Sequence, residues 1–203
     1  MMLIIIIGSV GFVKPENEMR ISKAQAQANR DKVVGAASEL FRAQGFENVT
    51  VSEVMEAAGF THGGFYNHFA SKEALMAESF LHAAQASGEL MASKTPDAAG
   101  RAAYLAAYLS PAHRDAPGSG CPIAALSAEI ARAPGVRGAY TTHIRGTMER
   151  LAAYFPWSSK RHARRDAIAA LSALVGALTL ARAVDDEELS EEILRETLAA
   201  LKT

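Results

Sequence analysis

The sequence predicts an all-α protein: a three-helix head at the N-terminus and a C-terminal helical bundle behind it. Three observations predict this. Apolar residues recur every three or four positions in successive stretches, the spacing of helices with one buried face. The breaks between those stretches carry Gly, Pro and the short polar residues that start and stop helices. No stretch shows the strict alternation of a half-buried strand, and no segment repeats.

Residues 1–18, MMLIIIIGSVGFVKPENE, stand apart from the rest. Their apolar run ends by Val13, short of the roughly 20 residues a spanning helix needs. No Lys or Arg precedes it and no small-residue cleavage pattern follows, so it does not read as a secretory signal. It reads as an extension ahead of a domain that opens at Met19, and a chain starting there is expected to fold and act as the whole does. The other reading is a short membrane tether on residues 1–13; stable membrane association is not expected. Residues 22–44 form the first helix, with Val33, Val34, Ala37, Leu40 and Phe41 at helical spacing and Gly45 as its stop. The polar residues 22–29 are expected as a ragged, solvated start.

Residues 50–72, TVSEVMEAAGFTHGGFYNHFASK, read as two short helices joined by a tight turn. Thr50 and Glu53 have capping-box spacing. Val51, Val54 and Ala58 give the first of these helices an apolar face, and Gly59 ends it in the left-handed conformation that Gly tolerates. Phe60 plugs the turn. Thr61 is placed to cap the second helix. Phe65 and Phe69, four apart, share one face and point into a small core. His62, Gly63, Tyr66 and Asn67 lie on the other. A glycine costs a helix about 1 kcal/mol against Ala, so Gly63 and Gly64 suggest close approach to another surface, or else a loose connector. Ser71 starts a further helix with Lys72 in its first turn, a cation and a helix N-terminus beside Tyr66 and His68.

These segments resemble the DNA-binding domain of TetR/AcrR-family transcriptional regulators. The resemblance runs without gaps over residues 20–80, on AASELFRAQGFENVTVSEVMEAAG followed by THGGFYNHFASKEAL. It implies that the helix at residues 61–69 reads a DNA groove and that Thr50, Tyr66, His68 and Lys72 touch phosphates. His62 stands where the family pattern often has Lys, so base preference is not carried over. The resemblance implies a head on residues 19–69, an effector-binding and dimerising body on residues 70–203, and a homodimer on a palindromic double-stranded operator.

The body continues in helices. Residues 71–93 carry Leu75, Ser79, Phe80, His82 and Leu90, and Thr95-Pro96-Asp97 breaks the run with Asp97 as the next cap. Tyr104, Leu105, Tyr108 and Leu109 follow, ending before Pro111. Residues 113–120, HRDAPGSG, are the clearest loop. Cys121-Pro122 opens a helix through Arg132, with Pro at its favoured first position. After Pro134-Gly135, residues 136–155 align Tyr140, Ile144, Met148 and Leu151. Residues 161–184 are apolar round most of the helix, which calls for burial on more than one side. With Ala169, Ala173 and Gly176 leaving room for close approach, that helix and the final one, residues 189–201, are the expected dimer contact.

The chemistry looked for beyond this is sparse. A formal net charge of −1 argues against non-specific coating of nucleic acid. Between residues 20 and 72, six Lys and Arg face five Asp and Glu, a thin positive margin for a local DNA-reading patch. The one cysteine excludes an intrachain disulfide and a Cys-rich zinc site. A reducing cytoplasm is the expected compartment, and neither a metal nor a cofactor is expected. Cys121, after a flexible loop and at a helix start, is either a reactive thiol that senses an electrophile or a packed small hydrophobe. GCPIAALSAEIAR also resembles body segments of family members that respond to electrophiles or oxidants. Tyr104, Tyr108 and His143 join Cys121 as candidate effector-sensing residues. The expected function is a ligand- or thiol-relieved repressor. The competing readings are a thiol enzyme built on Cys121 with His113 and His143, and the membrane-tethered module.

Overall fold

The first helix, α1 (Lys23–Gln44), buries Val33, Val34, Ala37 and Phe41 along one stripe and stops at Gly45, whose φ of 87° is the left-handed conformation that favours glycine. The computed structural model describes residues 23–202; the expectations for residues 1–18 and for a start at Met19 lie outside them. The ragged start expected at residues 22–29 is helical from Lys23. Gln25 donates to Asn29 and Gln27 to Asp31, four residues on, which supports the exposed turns.

Eight more α-helices follow among the described residues, and none of those residues forms a strand. They are α2 (Val51–Ala57), α3 (Lys72–Ala92), α4 (Ala98–Tyr108), α5 (Pro111–Asp115), α6 (Pro122–Ile130), α7 (Pro134–Tyr154), α8 (Ala163–Ala183) and α9 (Glu187–Lys202). Their starts follow the sequence. Ser71 Oγ accepts from Ala74 N, Asp97 Oδ1 from Gly100 N, and Pro122 and Pro134 occupy first-turn positions. Two expectations are corrected. The loop at residues 113–120 is partly ordered: His113 lies in α5, and residues 117–119 form a 3-10 turn laid against α1. His82 and Leu90 face outward from α3 rather than packing along it.

The buried residues form two cores. One gathers Val33, Phe41, Phe46, Val54, Phe65 and Phe69 of the head with Leu75, Met76 and Phe80 of α3, Leu126 and Ile130 of α6, and Val136 of α7. The other joins α4, α6, α7, α8 and α9 around Tyr104, Tyr108, Ile123, Leu151, Leu174 and Leu178. The short helix α6 enters both, placing Ile123 in the body and Leu126 and Ile130 in the head.

α8 is long and apolar enough to cross a membrane by composition, but it spends Ala167, Leu171, Leu174 and Leu178 on the body core. Its uncovered face still shows Ile168 and Leu180, and Leu189 of α9 is exposed as well. A side chain added at Gly176 would meet nothing within 4 Å.

Candidate nucleic-acid interface and body cavity

The head builds its outward face from two capped turns. Thr50 Oγ1 accepts from Glu53 N while the Glu53 carboxylate accepts from Thr50 N at 2.7 Å, the reciprocal capping box. The hydroxyl also donates to that carboxylate. These bonds hold the Glu53 carboxyl below its usual range. α2 ends in a paired set of bonds, Gly59 N to Glu56 O and Phe60 N to Met55 O, with Gly59 at φ 80°. That is the Schellman arrangement.

The second element of the motif is a single 3-10 stretch, His62–Asn67, where an α-helix was expected. Thr61 has the extended backbone of a cap, but its side chain makes no capping hydrogen bond. With two glycines in six residues, the tighter i to i+3 bonding of a short 3-10 segment takes over from an α-helical turn. Its anchoring is as expected. Phe65 and Phe69 are buried and stacked, ring centroids 5.6 Å apart.

The opposite side is open. Tyr66 is 72% exposed, the largest exposure of any big apolar side chain described. Thr61, His62, Gly63 and Asn67 are exposed around it, while Gly64 and His68 are half-buried. His62 Nδ1 is 2.9 Å from Ser52 Oγ, a bond that ties the 3-10 segment to α2. Lys72 is not the free cation expected: it is half-buried and donates from Nζ to Phe46 O at 2.6 Å.

Two residues that sequence reasoning passed over fix this face. The Arg30 guanidinium lies 4.2 Å from the Phe69 ring centre, donates to His68 O and pairs with Glu78. Glu129, near the end of α6, accepts from Phe46 N at 2.5 Å. The Phe46 peptide is therefore held at its N–H by the body and at its C=O by Lys72 of α3. Nothing in the spacing of Glu129, 83 residues from Phe46, signals that contact.

The body brings Tyr104, Tyr108, Cys121 and His143 onto the wall of one small cavity, with Met91, Thr147 and Arg150 among its other residues. The cavity measures about 30 Å³, room for a water-sized molecule and little more. Cys121 is 6% exposed, so the loop before it does not leave the thiol open to solvent. Instead His113 folds over it. His113 Nδ1 donates to Tyr108 O at 2.7 Å and Nε2 accepts from Cys121 N at 3.0 Å. Both ring nitrogens are thereby occupied in the neutral form, which leaves His113 no lone pair with which to act as a base on the thiol. Burial pushes the His113 pKa down and the Tyr108 pKa well up. Burial, with Arg150 nearby, lowers His143 to about 4. No three His, Cys, Asp or Glu among the described residues are grouped to hold a metal.

The His143 shift predicts a pH dependence. The unfolded chain takes up this proton near 6.5, the folded chain only near 4, so protonation favours the unfolded state. The stability from neutral His143 is complete above 6.5 and lost as the pH falls towards 4. Urea midpoints followed across that range should drop for wild type and drop less for His143→Asn. An equal drop in both would place the loss elsewhere.

Residues 33–78 match the family model described as bacterial regulatory proteins, tetR family. The head carries a TetR-family regulatory domain. The HTH-type transcriptional regulator AcrR of Shigella flexneri is 35% identical over 71 residues, 35% of this chain and 33% of its own length. The uncharacterised HTH-type regulator YdgC of Bacillus subtilis is 41% identical over 56 residues, 28% of this chain and 29% of its own. The chain thus spans about a third of the length of the curated relatives it matches. The TetR-family fold extends further. A TetR transcriptional regulator from Chloroflexus aurantiacus superposes with a TM-score of 0.70 at 25% identity, over 88% of this chain and 94% of that one. Escherichia coli NemR in its reduced form superposes with a TM-score of 0.69 at 24% identity, over 86% and 95%.

Proposed function

We propose that the protein is a sequence-specific DNA-binding transcriptional regulator, a repressor that acts as a dimer and is released by an effector in the body. The observation that carries the reading is the exposed Thr61–Asn67 face around Tyr66, set on the buried Phe65–Phe69 pair within the TetR-family match. Small and hydrogen-bonding side chains on a rigidly anchored turn suit a major groove, and two copies related by a two-fold axis would read half-sites about one DNA turn apart. Thr50, Tyr66 and His68 are assigned to the backbone, and His62 and Asn67 to base edges. The cytoplasm is the compartment that goes with this role. The test is selection from a random duplex pool with the full chain. A palindrome should be enriched, and equal affinity for every duplex would sink the reading. On the selected duplex, Tyr66→Ala should weaken binding about tenfold, ~1.4 kcal/mol, and should do so equally on variant sequences.

The dimer surface assigned is the uncovered face of α8 with α9. Leu180 is 57% exposed there. Leu180→Glu should leave the fold intact and give a monomer in sedimentation at micromolar concentration. A variant that stays dimeric would move the contact elsewhere. The effector site assigned is the cavity of Tyr104, Tyr108, Cys121 and His143. α6 favours this, because it begins at Cys121 and reaches the head through Glu129, roughly 12 Å along a helix rising 1.5 Å per residue.

A further inference from the structure

We propose that the cleft between the head and the body binds a small anion bearing a phosphate or carboxylate group, with Arg42 as its direct contact and Arg182 as a second positive charge beside it. This site is separate from the body cavity and does not depend on that cavity's being the effector site.

The cleft measures about 600 Å³ and is walled by the end of α1, by α5 and by the corner between α8 and α9, with Ala124 and Ala125 of α6 among its apolar residues. That is the size of sites that take small molecules. Three guanidiniums line it, Arg42 from the head and Arg114 and Arg182 from the body. Three carboxylates line it as well. Asp115 and Glu187 are both spent on Arg114, at 2.6 and 2.8 Å. Asp185 makes no ion pair among the described residues.

Arg42 and Arg182 are therefore left without a carboxylate among those residues, and both are half-buried. Arg42 donates only from Nε, to Gly118 O at 2.8 Å, so both of its Nη atoms are unused. Arg182 donates from Nε to Arg114 O at 2.9 Å and from Nη2 to His113 O at 2.7 Å, and its Nη1 is buried with no partner among the described residues. The two side chains grip one stretch of chain, one from the head and one from the body. Arg182 Nη2 lies 3.1 Å from where a Cβ on Gly120 would stand. Gly120 is two residues from the carbonyl that holds Arg42, a span of at most about 7 Å.

Glu39 acts on Arg42 and Asp115 on Arg182 through space, neither as an ion pair. Burial pushes both guanidiniums below their ordinary pKa. A charge withdrawn from water is costly unless it is paired. Each arginine stands in the last turn of its helix, and the partial negative charge there offsets some of that cost without neutralising a guanidinium. A carboxylate or a phosphate completes the balance, because its oxygens match the paired N–H groups of the Arg42 fork. Seated there, the anion touches α1 on one side and faces α5 and α8 on the other, so it adds to what holds the head against the body.

The test titrates the full chain, without DNA, with inorganic phosphate alone and with succinate alone, chloride keeping the ionic strength constant, and follows the heat of binding and the thermal midpoint. At least one of the two should bind saturably at one site per chain and raise the midpoint; phosphate alone would mark a phosphate ester as the ligand, succinate alone a carboxylate. Arg42→Gln should weaken that binding about tenfold or more, and Arg42→Lys, which keeps the charge and loses the fork, about threefold. Arg182→Gln should weaken it about threefold and Arg145→Gln, exposed on α7, less than about twofold. No saturable binding of either anion, an equal loss from Arg145→Gln, or unchanged affinity in Arg42→Gln would overturn the proposal. If Arg42→Gln does not fold, Arg42→Lys decides, and unchanged affinity there overturns it. No DNA enters these titrations, so they stand whether or not the chain reads a duplex.

Discussion

Phe65→Ala should destabilise the head by about 3–5 kcal/mol and abolish DNA binding with it. Phe65 is 1% exposed and lies at the centre of an aromatic set, stacked on Phe69 and edge-on to Tyr66 at 5.2 Å. Removing the ring leaves a hole that a six-residue 3-10 segment has no length to close. Tyr66 would lose the neighbour that orients it, and Arg30 would be left on a displaced Phe69. Urea unfolding followed by circular dichroism measures the loss. A cost below about 1 kcal/mol would mean that the segment is held by its backbone bonds to α2 rather than by this ring.

The second large effect is expected at Glu129. A hydrogen bond to a charged group contributes about 1.5–3 kcal/mol, and Glu129 supplies the one from α6 to Phe46 N. Glu129→Ala should cost about that much, and it should also separate the two ends of the molecule. The head should still select its palindrome, because Lys72 keeps the Phe46 carbonyl and the capping box is untouched. Modification of the cavity should no longer alter DNA affinity. DNA titrations before and after alkylation of Cys121 in the cavity, on wild type and Glu129→Ala, read this directly. A variant that still responds fully to that alkylation would show that α3 or α7 carries the signal without α6.

The elements legible in the sequence are those set by local chemistry. The capping box at Thr50, the αL stop at Gly59, the caps at Ser71 and Asp97 and the Phe65–Phe69 pair all depend on residues within four positions of one another, and each appears in the structure. The expected α-helix at 61–69 became a 3-10 segment because two adjacent glycines and a short span removed the usual advantage of the α-helix. Long-range polar contacts were not legible. Glu129 on Phe46, Lys72 turned inward, Arg30 under Phe69 and His113 closing over Cys121 depend on distances between elements, which periodicity does not carry. The gathering of Tyr104, Tyr108, Cys121 and His143 round one cavity follows from chance-like sequence separations that only the fold explains.

The shared core around α6 has a practical consequence for anyone wishing to graft this head onto another body. A fragment ended at residue 69 would leave behind Leu75, Met76 and Phe80, and with them Leu126, Ile130 and Val136, all of which close the same core as Val33 and Phe41. Its cut surface would be apolar and would aggregate. A chimera that keeps α3 whole supplies half of what is missing; the rest must come from a host helix that offers branched apolar residues where Leu126 and Ile130 stand, with a carboxylate one residue before the second. Interchange of specificity among proteins of this architecture is therefore limited less by the DNA-facing residues than by whether the recipient can complete the donor's interior.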